Sequence, residues 1–99
     1  MSGQQIRISP EGLRTCATTC RGYGNDCADL ITRTQSLIDR LRDQWEGQAS
    51  EKYAQQFAEL RPAFDRMRNL YEELSGQLDG TAAALEETDR NIAAQFGVK

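Results

Sequence analysis

The sequence predicts an all-α fold: an antiparallel helix-turn-helix hairpin that dimerises into an elongated four-helix bundle. Three observations carry this. Two long stretches repeat apolar residues at alternating spacings of three and four, a tripeptide Trp45-Glu46-Gly47 interrupts them near mid-chain, and the apolar supply is thin for a round core. Of 99 residues, 38% are hydrophobic, 7% aromatic and 27% charged, with a mean hydropathy of −0.68. A narrow apolar stripe along long helices fits that composition better than a globule does. The chain is nevertheless too rich in Leu, Ile, Phe and Ala to read as disordered.

Ser9-Pro10-Glu11 opens the first helix. Serine caps free amides, proline tolerates the first helical position, and an acid complements the positive end of the dipole. Gly12 stands where a capping-box glutamate would, so the box is incomplete. The first run falls at Leu13, Cys16, Cys20, Tyr23, Cys27, Leu30, Thr34, Leu37 and Leu41, with Ile31, Ile38 and Trp45 widening it. It predicts a helix over about 10–44, roughly 50 Å long. Gly22 and Gly24 weaken its middle by about 1 kcal/mol each relative to alanine.

The turn is expected at 45–47, where Gly47 permits a tight reversal. Trp45 either plugs the open end of the helix pair or simply terminates the seam as a core residue. The second run, Tyr53, Phe57, Leu60, Phe64, Met67, Tyr71, Leu74, Leu78, Thr81, Leu85, Thr88 and Ile92, with Gln95 or Phe96 last, predicts a helix over about 48–96. Pro62 is expected to bend it or insert an irregular turn. Gly76 and Gly80 are a second soft point, and Gly97 is a C-cap. Residues 1–99 then form one hairpin domain in which position i faces roughly position 92 − i, so that Leu13 lies near Asp79. Beyond about residue 82 the seam has no partner in the first helix. The candidate seam for hairpin and dimer comprises Leu13, Cys16, Cys20, Tyr23, Cys27, Leu30, Leu37, Leu41, Phe57, Leu60, Phe64, Met67, Leu74 and Leu78.

Several function classes are disfavoured. Twelve bases and fifteen acids are interspersed, giving a net charge of −3 without a basic cluster, so nucleic acid is not an expected partner. No stretch approaches the roughly 20 apolar residues of a membrane span. The helices also lack the basic face that favours anionic lipid. Met1 to Pro10 has one arginine and no apolar run, unlike a Sec-type signal peptide. There is no histidine, no phosphate-cradling glycine loop and no nucleophile–base pair, so neither enzyme activity nor a cofactor is expected. The adjacent acids Glu72-Glu73 and Glu86-Glu87 diverge on a helix and read as solvated faces. The odd set Cys16, Cys20 and Cys27 suits folding in a reducing compartment. These cysteines read first as small buried hydrophobes, with an intermolecular disulfide as an alternative; a thiolate metal site lacks a fourth ligand.

The Trp45-Glu46-Gly47 turn, centred in about a hundred residues and flanked by two amphipathic helices, resembles the WXG (ESAT-like, Esx) family of small type VII secretion substrates. The resemblance spans nearly the whole chain, from Ile6 through the C-terminal helix. Leu85, Asp89, Ile92 and Phe96 match the spacing hydrophobic-x3-acid-x2-hydrophobic-x3-hydrophobic of the Gram-positive, non-mycobacterial branch, where it is implicated in export. The same stripe also reads as further dimer seam. The mycobacterial Tyr-x3-acid signal is absent, since Ser75 follows Tyr71 at that distance. The resemblance implies a secreted, non-enzymatic protein that folds in the cytoplasm and pairs with itself or with a WXG paralogue. It also implies a secretion ATPase as partner. The alternative from another class is a cytoplasmic helical adaptor or chaperone that is never exported.

Overall fold

The computed structural model describes residues 8–45 and 47–97; Glu46 of the turn motif lies outside them. Two helices account for the described residues, with no strand: α1, Pro10–Gln44, and α2, Gln48–Gln95. Ser9 adopts extended angles and its Oγ accepts from the Gly12 N–H at 3.0 Å, while Pro10 fills the first turn beside Glu11. The Leu13 N–H donates to the Ser9 carbonyl at 2.9 Å, closing the cap.

At the other end of α1, Trp45 leaves helical geometry (φ −135°, ψ 90°) with its N–H still on the Leu41 carbonyl. Gly47 then takes φ 146° and ψ 176°, a region essentially reserved for glycine, and begins α2 without a side-chain cap. The Ser50 hydroxyl donates to the Gly47 carbonyl at 3.0 Å and holds this entry. Gly97, at φ 70°, closes α2 in the left-handed conformation expected of a C-cap, its N–H donating to the Ala94 carbonyl.

The irregular turn offered as one outcome at Pro62 does not form: α2 continues as helix across it. Proline removes one donor at an exposed position, while the neighbouring Phe57 is buried and its ring centroid lies 6.0 Å from that of the exposed Phe64. Packing of Phe57 helps to offset the local loss.

The helices run antiparallel. Gly24 lies against Arg68 and Tyr71, Arg42 reaches Glu51 near the turn, and Arg14 reaches Asp79 and Glu86 at the open end. The pairing therefore extends to Glu86, slightly past the limit of about 82 read from the sequence. The result measures 75 × 32 × 16 Å with a radius of gyration of 22.1 Å, against about 13 Å for a globule of this length. At 1.5 Å per residue α2 alone spans about 72 Å, so its length sets the long axis.

Small residues form most of the contact. Ala17 and Ala82 are fully buried, Gly24, Ser50 and Ser75 are buried beside them, and Leu13, Ile31 and Phe57 are the large buried side chains. A Cβ on Gly24 would sit 3.4 Å from the Tyr71 Cβ and 3.6 Å from the Arg68 carbonyl oxygen, so the absent side chain lets the backbones close up. Gly22 meets nothing within 4 Å, and its helix penalty is uncompensated.

This contrast sets a prediction. Gly22→Ala should raise unfolding free energy by about 1 kcal/mol, and Gly47→Ala should lower it by roughly 1–3 kcal/mol through its backbone angles. Urea unfolding followed by circular dichroism measures both. Equal effects of one sign at the two positions would contradict this account of the elbow.

Candidate functional site

The hairpin has two unlike long edges, each traceable to residues spaced by sevens. On one edge α2 carries Glu51, Asp65, Glu72, Asp79 and Glu86, and α1 carries Arg14, Arg21 and Arg42. Arg42 binds Glu51 at 2.8 Å, Arg21 binds Asp79, and Arg14 bridges Glu86 and, at 3.9 Å, Asp79. Asp65 pairs within its own helix with Arg61 at 3.5 Å. Glu86 is thus a cross-helix partner rather than only part of a solvated face, a role that the seven-residue spacing reveals and sequence adjacency conceals.

The hydrogen bond from Arg14 to Glu86, followed by the Glu86 charge, raises the guanidinium pKa above its ordinary value. A cation whose pKa rises on folding adds stability throughout the range below its ordinary value, and loses it only as pH climbs beyond. Arg14 therefore stays charged across the physiological range. The pairs of this edge are solvent-exposed and serve register and direction more than stability.

The opposite edge is apolar and open. Cys16, Tyr23, Leu30 and Leu37 of α1, and Tyr53, Leu60, Met67 and Leu74 of α2, form two rows at intervals of seven. Leu30 is 57% exposed, Leu37 56%, Met67 52% and Tyr23 51%. Between the rows Cys27, Leu30, Ile31, Thr34, Phe57, Phe64 and Met67 line a shallow groove of about 330 Å³. Tyr23 of α1 meets Tyr71 of α2 edge-to-face, centroids 5.6 Å apart.

The structure thereby sorts the candidate seam. Leu13 and Phe57 are buried in the hairpin, and Cys20, Cys27, Leu41 and Leu78 are half-buried. Cys16, Tyr23, Leu30, Leu37, Leu60, Phe64, Met67 and Leu74 lie on the exposed edge. Alanine, glycine and serine, which carry little weight in a search for large apolar residues, took the inner positions.

Two further expectations are corrected. Trp45 is neither plug nor core: the extended angles after α1 turn it outward, leaving it 53% exposed. Within the single hairpin the cysteines are not fully buried: Cys16 is exposed and Cys20 and Cys27 are half-buried, with no disulfide among them. No group of three or more metal-ligating side chains gathers among the described residues.

Past Glu86, α2 continues alone. Leu85 is half-buried where the pairing ends, Asp89 is exposed, Ile92 is 49% exposed and Phe96 76%. No described helix is long and apolar enough to cross a membrane.

Comparison with known proteins matches this architecture. The family described as "Proteins of 100 residues with WXG" (WXG100) matches residues 5–90. Protein YukE of Bacillus subtilis strain 168 is 38% identical over 91 residues, covering 92% of this chain and 94% of YukE. "Type VII secretion system extracellular protein A" of Staphylococcus aureus USA300 is 34% identical, with 95% and 97% of the two chains covered. Among solved structures, EsxA of Geobacillus thermodenitrificans superposes with a TM-score of 0.85 at 40% identity, covering 94% of this chain and 99% of that one. The secreted protein EsxB from Bacillus anthracis Sterne gives 0.79 at 26% identity, covering 87% and 98%. With its helical hairpin hinged at Trp45 and Gly47, the chain belongs to the WXG100 family, whose Gram-positive members here include type VII secretion system extracellular proteins.

Proposed function

We propose that the chain is a non-enzymatic substrate or co-secreted partner of a type VII secretion system, exported as a hairpin paired with a second hairpin, itself or a WXG paralogue. The apolar edge is the observation that carries this reading. Its two rows expose large side chains along most of the hairpin, at the seven-residue interval that packs helix on helix. Covering the exposed half of each contributes on the order of 1 kcal/mol, and a contiguous patch of this extent marks an interaction site.

The second element is the unpaired end of α2. Asp89, Ile92 and Phe96 project beyond the hairpin in line with the half-buried Leu85, available to a secretion ATPase, and the name of the staphylococcal relative supports export as their use. In this reading the chain folds in the cytoplasm and leaves without a Sec signal peptide. A cytoplasmic adaptor would use the same apolar edge but would never reach the medium.

Two experiments test the proposal. Ending the chain after Glu87 keeps the Arg14–Glu86 pair, so helical content should persist while the protein disappears from the culture supernatant and accumulates in lysate. Undiminished secretion of that truncation would remove the signal. Met67→Glu places a charge on the open edge at a half-exposed site. It should convert a dimer to a monomer by light scattering while the far-ultraviolet spectrum per residue is retained; a persistent dimer would exclude this edge as the pairing surface.

A further inference from the structure

The chain's three cysteines all lie in α1, towards the open apolar edge. Cys16 belongs to its outer row, Cys20 stands one turn further on, and Cys27 lines the groove beside Leu30 and Met67. All three thiols are free. Helix geometry keeps them from oxidising with one another. Cys16 and Cys20, four residues apart, hold their Cβ atoms about 6 Å apart, where a disulfide needs about 4 Å. Cys27 lies about 10 Å along the axis from Cys20 and about 16 Å from Cys16. With no cysteine in α2, oxidation of a folded hairpin to a disulfide must join it to another molecule.

We infer that Cys27 is a disulfide site that locks two paired hairpins together once the protein leaves a reducing compartment. This rests on the pairing reading above and adds a redox control to the same surface. Cys27 is the central residue of the 35 in α1. A two-fold contact that lays α1 along a second α1 brings only such a mid-helix residue level with its own copy. Cys20 and Cys16 are then separated from their copies by about 21 Å and about 33 Å along the axis. Helices in contact lie roughly 8–10 Å axis to axis and carry their Cα atoms about 2.3 Å out, so facing Cα atoms approach to roughly 4–5 Å. A disulfide spans about 4.4–6.8 Å between Cα atoms, so the Cys27 pair is within reach.

The oxidant is a low-molecular-weight disulfide. The Cys27 thiolate attacks one of its sulfurs and releases one small thiolate. The partner's Cys27 thiolate then attacks the Cys27 sulfur of this mixed disulfide and releases the second. The protein thiols are oxidised as the small disulfide is reduced, and their two protons pass to the departing thiolates. In a reducing cytoplasm the pair stays noncovalent and free to exchange partners. Outside, the bond fixes whichever two copies left together.

The test is incubation of the purified full chain with oxidised glutathione, followed by non-reducing electrophoresis, with sedimentation of the same proteins before oxidation. Wild type and Cys16→Ser/Cys20→Ser should both give a species of twice 11.1 kDa that dithiothreitol returns to one chain. Cys27→Ser should lose that species while keeping the helical spectrum and the noncovalent pair. Linking that survives Cys27→Ser would overturn the lock and leave the pairing intact. So would a wild type that pairs before oxidation yet ends as mixed disulfides with glutathione alone. A wild-type chain that is monomeric at every concentration before oxidation would overturn the pairing reading itself.

Discussion

Ala17, Gly24, Ser75 and Ala82 let α1 and α2 approach until the Gly24 backbone lies against Arg68 and Tyr71, and much of the rest follows from that closeness. Helices packed largely through small residues leave room between them for few large side chains, here Leu13, Ile31 and Phe57. The bulky apolar side chains one column away are therefore driven to the edge of the pair. A wider separation would have drawn Tyr23, Leu30 and Met67 inward and produced a self-sufficient core. Here the inner face is spent on proximity and the apolar surface is left outside.

The two edges then divide the work. Arginines of α1 and acids of α2 fasten one edge in a fixed antiparallel register, and their polarity keeps that edge wet. The other edge, free of such pairs, exposes its rows to whatever helical surface can match an interval of seven. The slab is only 16 Å through, and no third layer among the described residues covers it. On the proposed reading, pairing completes the fold and leaves the lone end of α2 available for recognition.

Much of this is legible in the sequence. The two heptad runs and the Trp45-Gly47 elbow specify a helical hairpin, because period and chain reversal are local properties. Ser9, Pro10 and Gly97 announce helix ends for the same reason. What the sequence conceals is the phase of packing. Large apolar residues dominate any reading of periodicity, yet Ala17, Gly24, Ser75 and Ala82 lie a fraction of a turn away and take the inner face. That offset exposes Cys16, Leu30 and Leu37, and α2 runs on through Pro62 where proline alone predicts a break. The size of Trp45 argues for burial, whereas its place after the last turn of α1 decides otherwise.

Whether the apolar edge is covered in solution decides between a self-sufficient hairpin and half of a bundle. Sedimentation equilibrium of the purified wild-type chain at micromolar concentration, under reducing conditions, measures this most directly. A mass close to twice the 11.1 kDa of one chain is the predicted result. A stable species at 11.1 kDa, folded and showing no tendency to associate as concentration rises, would contradict it.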